Sequence, residues 1–223
     1  RDLNGGTISE NKSQNLGGGV CVNSNGGRLS VSGNQVVTGN KAGDVVNNLY
    51  AHTDNFVGVS APLTSGSNIG ISTPSVPSSD YSPTFTSGYN TYNNGDNPNL
   101  YFKSDYDGVV AGLNSSGEAM FELEYTVTVS ADEHGTATAN IAKGVKGTEV
   151  TLTATPNNSE DYRFKEWQVI SGGVTINDNK FTIGNSNVEV KAIFEETPIT
   201  SWARLQSALN KGGTITLTQD IVA

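Results

Sequence analysis

Apolar residues recur along this chain in two rhythms. Between Tyr125 and Phe194, four runs place them at every second position: Tyr125-Thr-Val-Thr-Val129, Val150-Thr-Leu-Thr-Ala154, Phe164-Lys-Glu-Trp-Gln-Val169 and Val188-Glu-Val-Lys-Ala-Ile-Phe194. That is the period of a half-buried strand, and it predicts a small all-β module with Leu152, Phe164 and Trp167 in its core. The absence of a helical period inside the segment argues against a β-grasp fold with its crossing helix. Residues 1 to about 72 follow a longer rhythm. Thr7-Ile-Ser-Glu-Asn-Lys12 aligns with Val36-Val-Thr-Gly-Asn-Lys41 at an offset of 29, and the same offset carries Val20 onto Leu49 and Val22 onto Ala51. Each period holds three short runs, Thr7 to Ser9, Val20 to Val22 and Leu29 to Val31, separated by corners such as Leu16-Gly-Gly-Gly19 and Asn25-Gly-Gly27.

Three runs per period with tight corners predict coils of a right-handed parallel β-helix. One coil cannot bury its own apolar face, but stacked coils set Val, Ile and Leu above one another as continuous ladders. Gly and Asn are expected at the corners to supply positive φ angles. A β-sandwich of hairpins is the competing reading, because Asn4-Gly5 and Asn25-Gly26 are hairpin turn signals. From about Asn68 to Leu123 the period fades, Pro74, Pro77 and Pro83 interrupt, and Tyr81, Phe85, Tyr89, Tyr92, Tyr101, Phe102 and Tyr106 accumulate. A solenoid needs its last coil covered, so this stretch is expected to form irregular final coils and a cap. After the module, Thr200 or Ser201 is placed to cap a short helix with Trp202, Leu205 and Leu209 on one face, ended by Gly212-Gly213 and followed by a strand, Thr214-Ile-Thr-Leu-Thr218. The expected domains are 1–122 (final coils and cap of a β-helix), 123–196 (the module) and 197–223, whose helix, Gly-Gly and Thr-Ile-Thr-Leu-Thr run resemble the capping helix and first strand of a second β-helix.

Composition narrows the class. With 26 glycines, 16% charged residues and a 35% hydrophobic fraction among 223 residues, the chain is poor in helix formers and rich in turn and strand formers. The regular spacing of its apolar residues argues for a narrow, elongated core over disorder. The formal net charge of −9 and the lack of any Lys/Arg cluster exclude nucleic acid as an expected partner. No signal peptide, membrane span or sorting signal is visible, and the chain begins without Met, so it reads as a segment of a longer protein. The single cysteine, Cys21, excludes an intrachain disulfide and is expected to be a buried, inert thiol, since cysteine is among the most buried residue types.

Two resemblances follow from these stretches. Gly5-Gly-Thr-Ile-Ser-Glu-Asn11, Gly17-Gly-Gly-Val-Cys-Val22 and Asn47-Asn-Leu-Tyr50 resemble the repeats of bacterial cell-surface β-helix proteins of the pectate-lyase-like, adhesin-type class. Glu10 and Cys21 stand where Gly and Tyr are more usual there. Residues 125–194 resemble the divergent internalin-type B-repeat family, block by block: Tyr125 to Val129, Gly135-Thr-Ala137, Gly147-Thr-Glu-Val-Thr-Leu-Thr-Ala-Thr-Pro156, Tyr162-Arg-Phe-Lys-Glu-Trp167 and Val188 to Phe194. Asn157 to Asp161 departs from that family as a longer, charged loop. Together the resemblances imply a secreted or cell-surface bacterial protein that displays or adheres to a host glycan or surface protein, or a stalk that spaces other domains.

Candidate chemistry is sparse. His52 and His134, the only histidines, lie in different expected domains, and His52 with Asp54 lacks the positioning of a catalytic pair. Zinc would need a Cys/His set that is missing. Asp105-Tyr-Asp-Gly108 is the one cation candidate, with Asp105 and Asp107 as weak oxygen ligands for Ca²⁺, although it lacks the further acids of a full calcium loop and a plain turn is the simpler reading. No cofactor is otherwise expected. Polysaccharide lyases on β-helices resemble this chain in fold but use Lys or Arg beside calcium-binding acids, whereas Lys12, Arg28, Lys41 and Lys103 are scattered; the expectation is a non-enzyme. Tyr89, Tyr92 and Tyr106 are the candidates for a sugar-stacking platform, although closure of the solenoid end is the favoured role for them.

Overall fold

The computed structural model describes residues 1–23, 28–52, 56–212, 215, 217, 220 and 221. The chain divides into two compact units, Arg1–Glu124 and Tyr125–Ala223.

The first unit is a β-solenoid of about three turns. Its first coil contains β1 (Asp2–Asn4), β2 (Thr7–Ser9), β3 (Lys12–Ser13) and β4 (Val20–Val22). The second contains β5 (Leu29–Gly33), β6 (Val36–Thr38), β7 (Lys41–Ala42), β8 (Val45–Val46) and β9 (Leu49–Ala51), and the third β10 (Val57–Leu63) and β11 (Asn68–Ser72). Like stacks on like in parallel: Ile8 on Val37 and Val20 on Leu49, both at the offset of 29 seen in the sequence, then Val37 on Ile69 and Leu49 on Ile71. The parallel stacking rules out the hairpin sandwich. On the opposite sheet Leu3, Val31 and Val59 form the matching ladder.

The coil differs from a simple three-strand turn in one respect. β11 runs unbroken beneath both β6 and β9, so β2 and β4, like β6 and β9, belong to one sheet and are separated by an excursion. The excursions, residues 10–19 and 39–48, stack on each other through β3 and β7, to which β8 adds antiparallel. The alternation of β4 turns Val20 and Val22 inward and leaves Cys21 exposed, which corrects the expectation of a buried thiol: the two-residue period outweighs the general burial preference of cysteine.

Beyond the third coil come β12 (Thr86–Ser87), the single-turn α1 (Tyr89–Tyr92), a 3-10 turn at Pro98–Leu100, β13 (Phe102–Ser104), β14 (Val109–Leu113) and the start of β15 (Ala119–Ala131). β13 extends the ladder from Ile69 to Phe102, and β14 closes an antiparallel hairpin with Ala119–Leu123. Here the aliphatic ladders end on rings: Phe85 lies 4.4 Å from Phe121 and meets Phe102 edge-on at 5.3 Å, centroid to centroid. Aromatics cover the final coil because each ring closes more open core than an aliphatic side chain can.

In the second unit, residues Val127–Ala131 of β15 pair in parallel with β21 (Val188–Glu196), which pairs antiparallel with β19 (Tyr162–Ser171). The earlier strands β16 (Gly135–Ala139) and β18 (Glu149–Pro156) form a second sheet with β20 (Lys180–Thr182), and β17 (Lys143–Val145) pairs β15. Val150, Leu152, Phe181, Ile183, Val188, Val190 and Ala192 fill the space between. Leu152 is buried as expected, but Phe164 and Trp167 are only half-buried. β19 is a sheet edge with register shifts between Phe164 and Glu166 and between Val169 and Ser171, so its aromatics cover the core from the rim. Trp167 accordingly keeps its indole Nε1 donating to Asn179 Oδ1 at 2.8 Å.

Helix α2 (Trp202–Lys211) starts at Ser201, whose Oγ accepts from Arg204 N at 3.3 Å, and ends at Gly212 with φ 76°. Trp202 and Leu209 are exposed on it. Of the strand expected to follow, only Ile215 and Leu217 are among the described residues; Gly213, the corner Asn25-Gly-Gly27 and Asp54 lie outside them.

Candidate functional site

The three tyrosines singled out by sequence do not meet in one place. Tyr89 has no exposed surface: it sits at the start of α1, and its hydroxyl donates to Asp96 O at 3.2 Å. Burial pushes its pKa well up, with the Asp96 carboxylate adding to the effect. A ring at the centre of the cap cannot stack on a sugar, so the expectation for Tyr89 is corrected. Tyr106 is half-buried, its hydroxyl donating to Thr73 O, and burial raises its pKa against the opposing effect of that hydrogen bond. Tyr92 alone is open, at 43% exposure.

The cap is organised instead by side chains that pattern reasoning passed over. Glu118 accepts from Thr86 Oγ1, Gly88 N and Tyr89 N at 2.9 to 3.0 Å, fixing the entry to α1. Asn93 closes the other end by donating to Leu63 O and accepting from Leu63 N. Asp96 Oδ2 accepts from Asn93 Nδ2 and from the Tyr101 hydroxyl at 2.8 Å. Buried polar atoms of a terminal coil lack the next coil as partner, and these groups supply what it would have provided.

Asp105 is likewise structural. Its Oδ2 accepts from Asn48 N and Ser72 Oγ, both at 2.7 Å, and its Oδ1 from Asn48 Nδ2 at 2.6 Å. Asn48 Oδ1 accepts in turn from Asn40 N and Nδ2, and Asn40 Oδ1 from Asn11 N and Nδ2. The result is a ladder of amides, Asn11 to Asn40 to Asn48, ending on a carboxylate at the base of the excursions. Gly70 makes room for it: a Cβ there would lie 2.3 Å from Asn48 Nδ2. These asparagines serve through their side chains and not through positive φ, which among described non-glycine residues occurs at Glu10, Asp178 and Asn179. Both oxygens of Asp105 are thus engaged within the fold, and Asp107 is exposed beside it. Among the described residues no three His, Cys, Asp or Glu side chains converge as a metal site would require. The sequence signal for the ladder was the alignment of Asn11 with Asn40 in the repeat.

In the second unit a cluster of polar and aromatic groups surrounds the turn between β15 and β16. Asp132 accepts from His134 N at 3.0 Å and from Phe194 N at 2.8 Å, while the His134 ring stacks on Tyr162 at 4.0 Å. Burial works to raise the Asp132 pKa, but the two backbone N–H groups, with His134 and Lys191 nearby, outweigh it and hold the carboxyl below its usual range. Gly135 follows because the Phe194 ring lies over it: an added Cβ would fall 2.2 Å from Cζ. The Gly-Thr-Ala block, the Tyr-x-Phe block and the final strand thus meet at one point. Residues 125–198 match the family model of the divergent InlB B-repeat domain. The blocks that carried the sequence resemblance are therefore the strands and packing turns of the matched segment. Comparison with curated proteins and with solved structures gave no match. No described helix is long and apolar enough to cross a membrane.

Proposed function

We propose that this chain is part of a bacterial surface protein in which the β-solenoid presents a non-catalytic binding or adhesion surface, for a host glycan or host surface protein, next to a B-repeat domain. The observation that carries this reading is the B-repeat match at residues 125–198 in a chain whose preceding 124 residues form a solenoid. A coiled repeat with few charged interior groups is a rigid display surface, and every carboxylate cluster described above serves a hydrogen-bond role within the fold. The second reading, a spacer that holds other domains apart, is favoured by one specific observation: Tyr89 and Tyr106, two of the three candidate contact rings, are engaged in packing.

The test uses the intact chain on a glycan array and on immobilised host-matrix proteins, together with antibody labelling of intact cells. Saturable binding weakened severalfold by Tyr92→Ala, the exposed ring, is expected. Surface labelling without binding to any array component would replace adhesion by the spacer role. Release of products from a polysaccharide would overturn both.

A further inference from the structure

Lys12 and Lys41 are far apart in the chain, and the stacking of the two excursions brings them together. In the parallel pair of β3 and β7 they are register partners, so their side chains leave the same face of neighbouring strands about 4.8 Å apart. Val46 of β8 is the antiparallel partner of Lys41 and extends the row, 44% exposed. Like charges set directly opposite each other destabilise a ladder. Here neither lysine has a carboxylate within ion-pair distance among the described residues, whereas Lys180 and Lys211 of the second unit each do. Glu10 and Asp44, the neighbouring acids in the chain, are exposed and paired with neither. The row is also firmly backed. Lys41 N donates to Asn11 O at 3.0 Å and Gly43 N to Ser13 O at 2.9 Å, and the Gly18 backbone packs so closely that an added Cβ would lie 2.4 Å from Lys41 N. Two uncompensated cations are thus held side by side in a chain whose net charge is −9.

We propose that this row is a contact site for a sulfated polysaccharide, a sulfate ester bridging the Lys12 and Lys41 ammonium groups while Val46 takes the C–H face of an adjoining sugar. The proposal rests on the display reading above and names the class of glycan. A lysine ammonium is a point charge without the planar fork by which arginine grips a carboxylate. A tetrahedral sulfate presents several oxygens at once, enough to accept from both ammonium groups. Exposed ion pairs are individually weak, so the partner is a polymer that repeats its charge, where neighbouring sulfates rebind and raise the effective concentration. An acidic protein partner would need a matching patch of about 800 Å², and the row is a single strand pair and one valine wide.

The experiment passes the intact chain over immobilised heparan sulfate, with hyaluronan, whose charges are carboxylates only, as the comparison. Saturable binding to heparan sulfate that falls as salt rises is expected, with hyaluronan about tenfold weaker or more. Lys12→Gln together with Lys41→Gln should weaken it about tenfold or more, and Lys103→Gln should leave it within about twofold. Thermal unfolding of the double variant should equal or exceed that of the parent at low salt, because the like-charge pair is gone; a drop would make the lysines part of the fold and overturn the assignment. Equal binding of hyaluronan, or undiminished binding by the double variant, would overturn it too. So would lysine-dependent binding to phosphatidylserine vesicles without binding to heparan sulfate, which would assign the row to a lipid surface. If another glycan on the array is bound through Tyr92 while heparan sulfate is not, this proposal falls and the display reading stands; binding to no glycan and no host protein removes both.

Discussion

Asp105 offers the sharpest test of the solenoid's internal logic. Replacing it with Ala leaves three donors without their acceptor: Asn48 N, Asn48 Nδ2 and Ser72 Oγ, in residues only 5% and 1% exposed. Each buried donor left unpaired costs roughly 1–3 kcal/mol, so three set an upper bound of about 9. Water entering the space vacated by the carboxylate recovers part of this, and the expected loss is about 3–4 kcal/mol. Asp105→Asn keeps the shape but turns one acceptor into an NH2 that faces a donor, and should cost about 2 kcal/mol. Against a total stability of about 5–15 kcal/mol for a domain, either loss is large. Urea denaturation measures it, with tyrosine fluorescence reporting chiefly the first unit, which holds all but Tyr125 and Tyr162 of the tyrosines. Trp167 and Trp202 both lie in the second unit and serve as the internal control that should not move. Two results would refute the reasoning: an Asp105→Asn variant within about 0.5 kcal/mol of the parent, since net hydrogen-bond losses are expected above that, or an Asp105-dependent rise in stability on adding Ca²⁺, which linkage would tie to a bound ion.

Three further substitutions follow from the geometry. Glu10 holds φ 57° where the next coil has Gly39 at φ 69°, so Glu10→Gly removes roughly 1–2 kcal/mol of left-handed strain, less about 0.5–1 for the freer unfolded chain; thermal unfolding of the first unit should rise slightly. Burial raises the Glu122 pKa. Between its unfolded value of about 4.3 and that raised value the folded state binds more protons, so stability falls as pH rises through this window. Glu122→Gln should abolish that slope in denaturation midpoints measured across acidic pH, and unchanged pH dependence would discount the burial. Gly135→Ala drives a methyl into the Phe194 ring and should destabilise the second unit by about 1–3 kcal/mol, seen by tryptophan fluorescence while the solenoid transition stays put.

The stacking of the coils could be read from the chain because a parallel ladder repeats its residue types at a fixed offset: Ile8 with Val37 and Val20 with Leu49 are visible as text before they are contacts. The same holds for the second unit, whose alternating runs are its strands. What stayed hidden depends on contacts between residues with no shared period. The structural role of Asp105 was not legible because its partners, Asn48 and Ser72, lie 57 and 33 positions away. Tyr89 looked like a surface ring because a cap lacks the alternation that separates inside from outside. Phe164 and Trp167 looked like core because apolar identity does not reveal that their strand is an edge.

The passage of β11 beneath both β6 and β9 has a consequence for how this solenoid can vary. Where the second coil leaves the sheet after Thr38 and returns at Leu49, the third continues straight from Ile69 to Ile71, and the ladders above and below remain aligned. The excursion is therefore an insertion that the core does not register. Foreign peptide grafted between Asn40 and Asn48 would be carried clear of the sheet, with its ends already brought together by the Asn40–Asn48 hydrogen bonds.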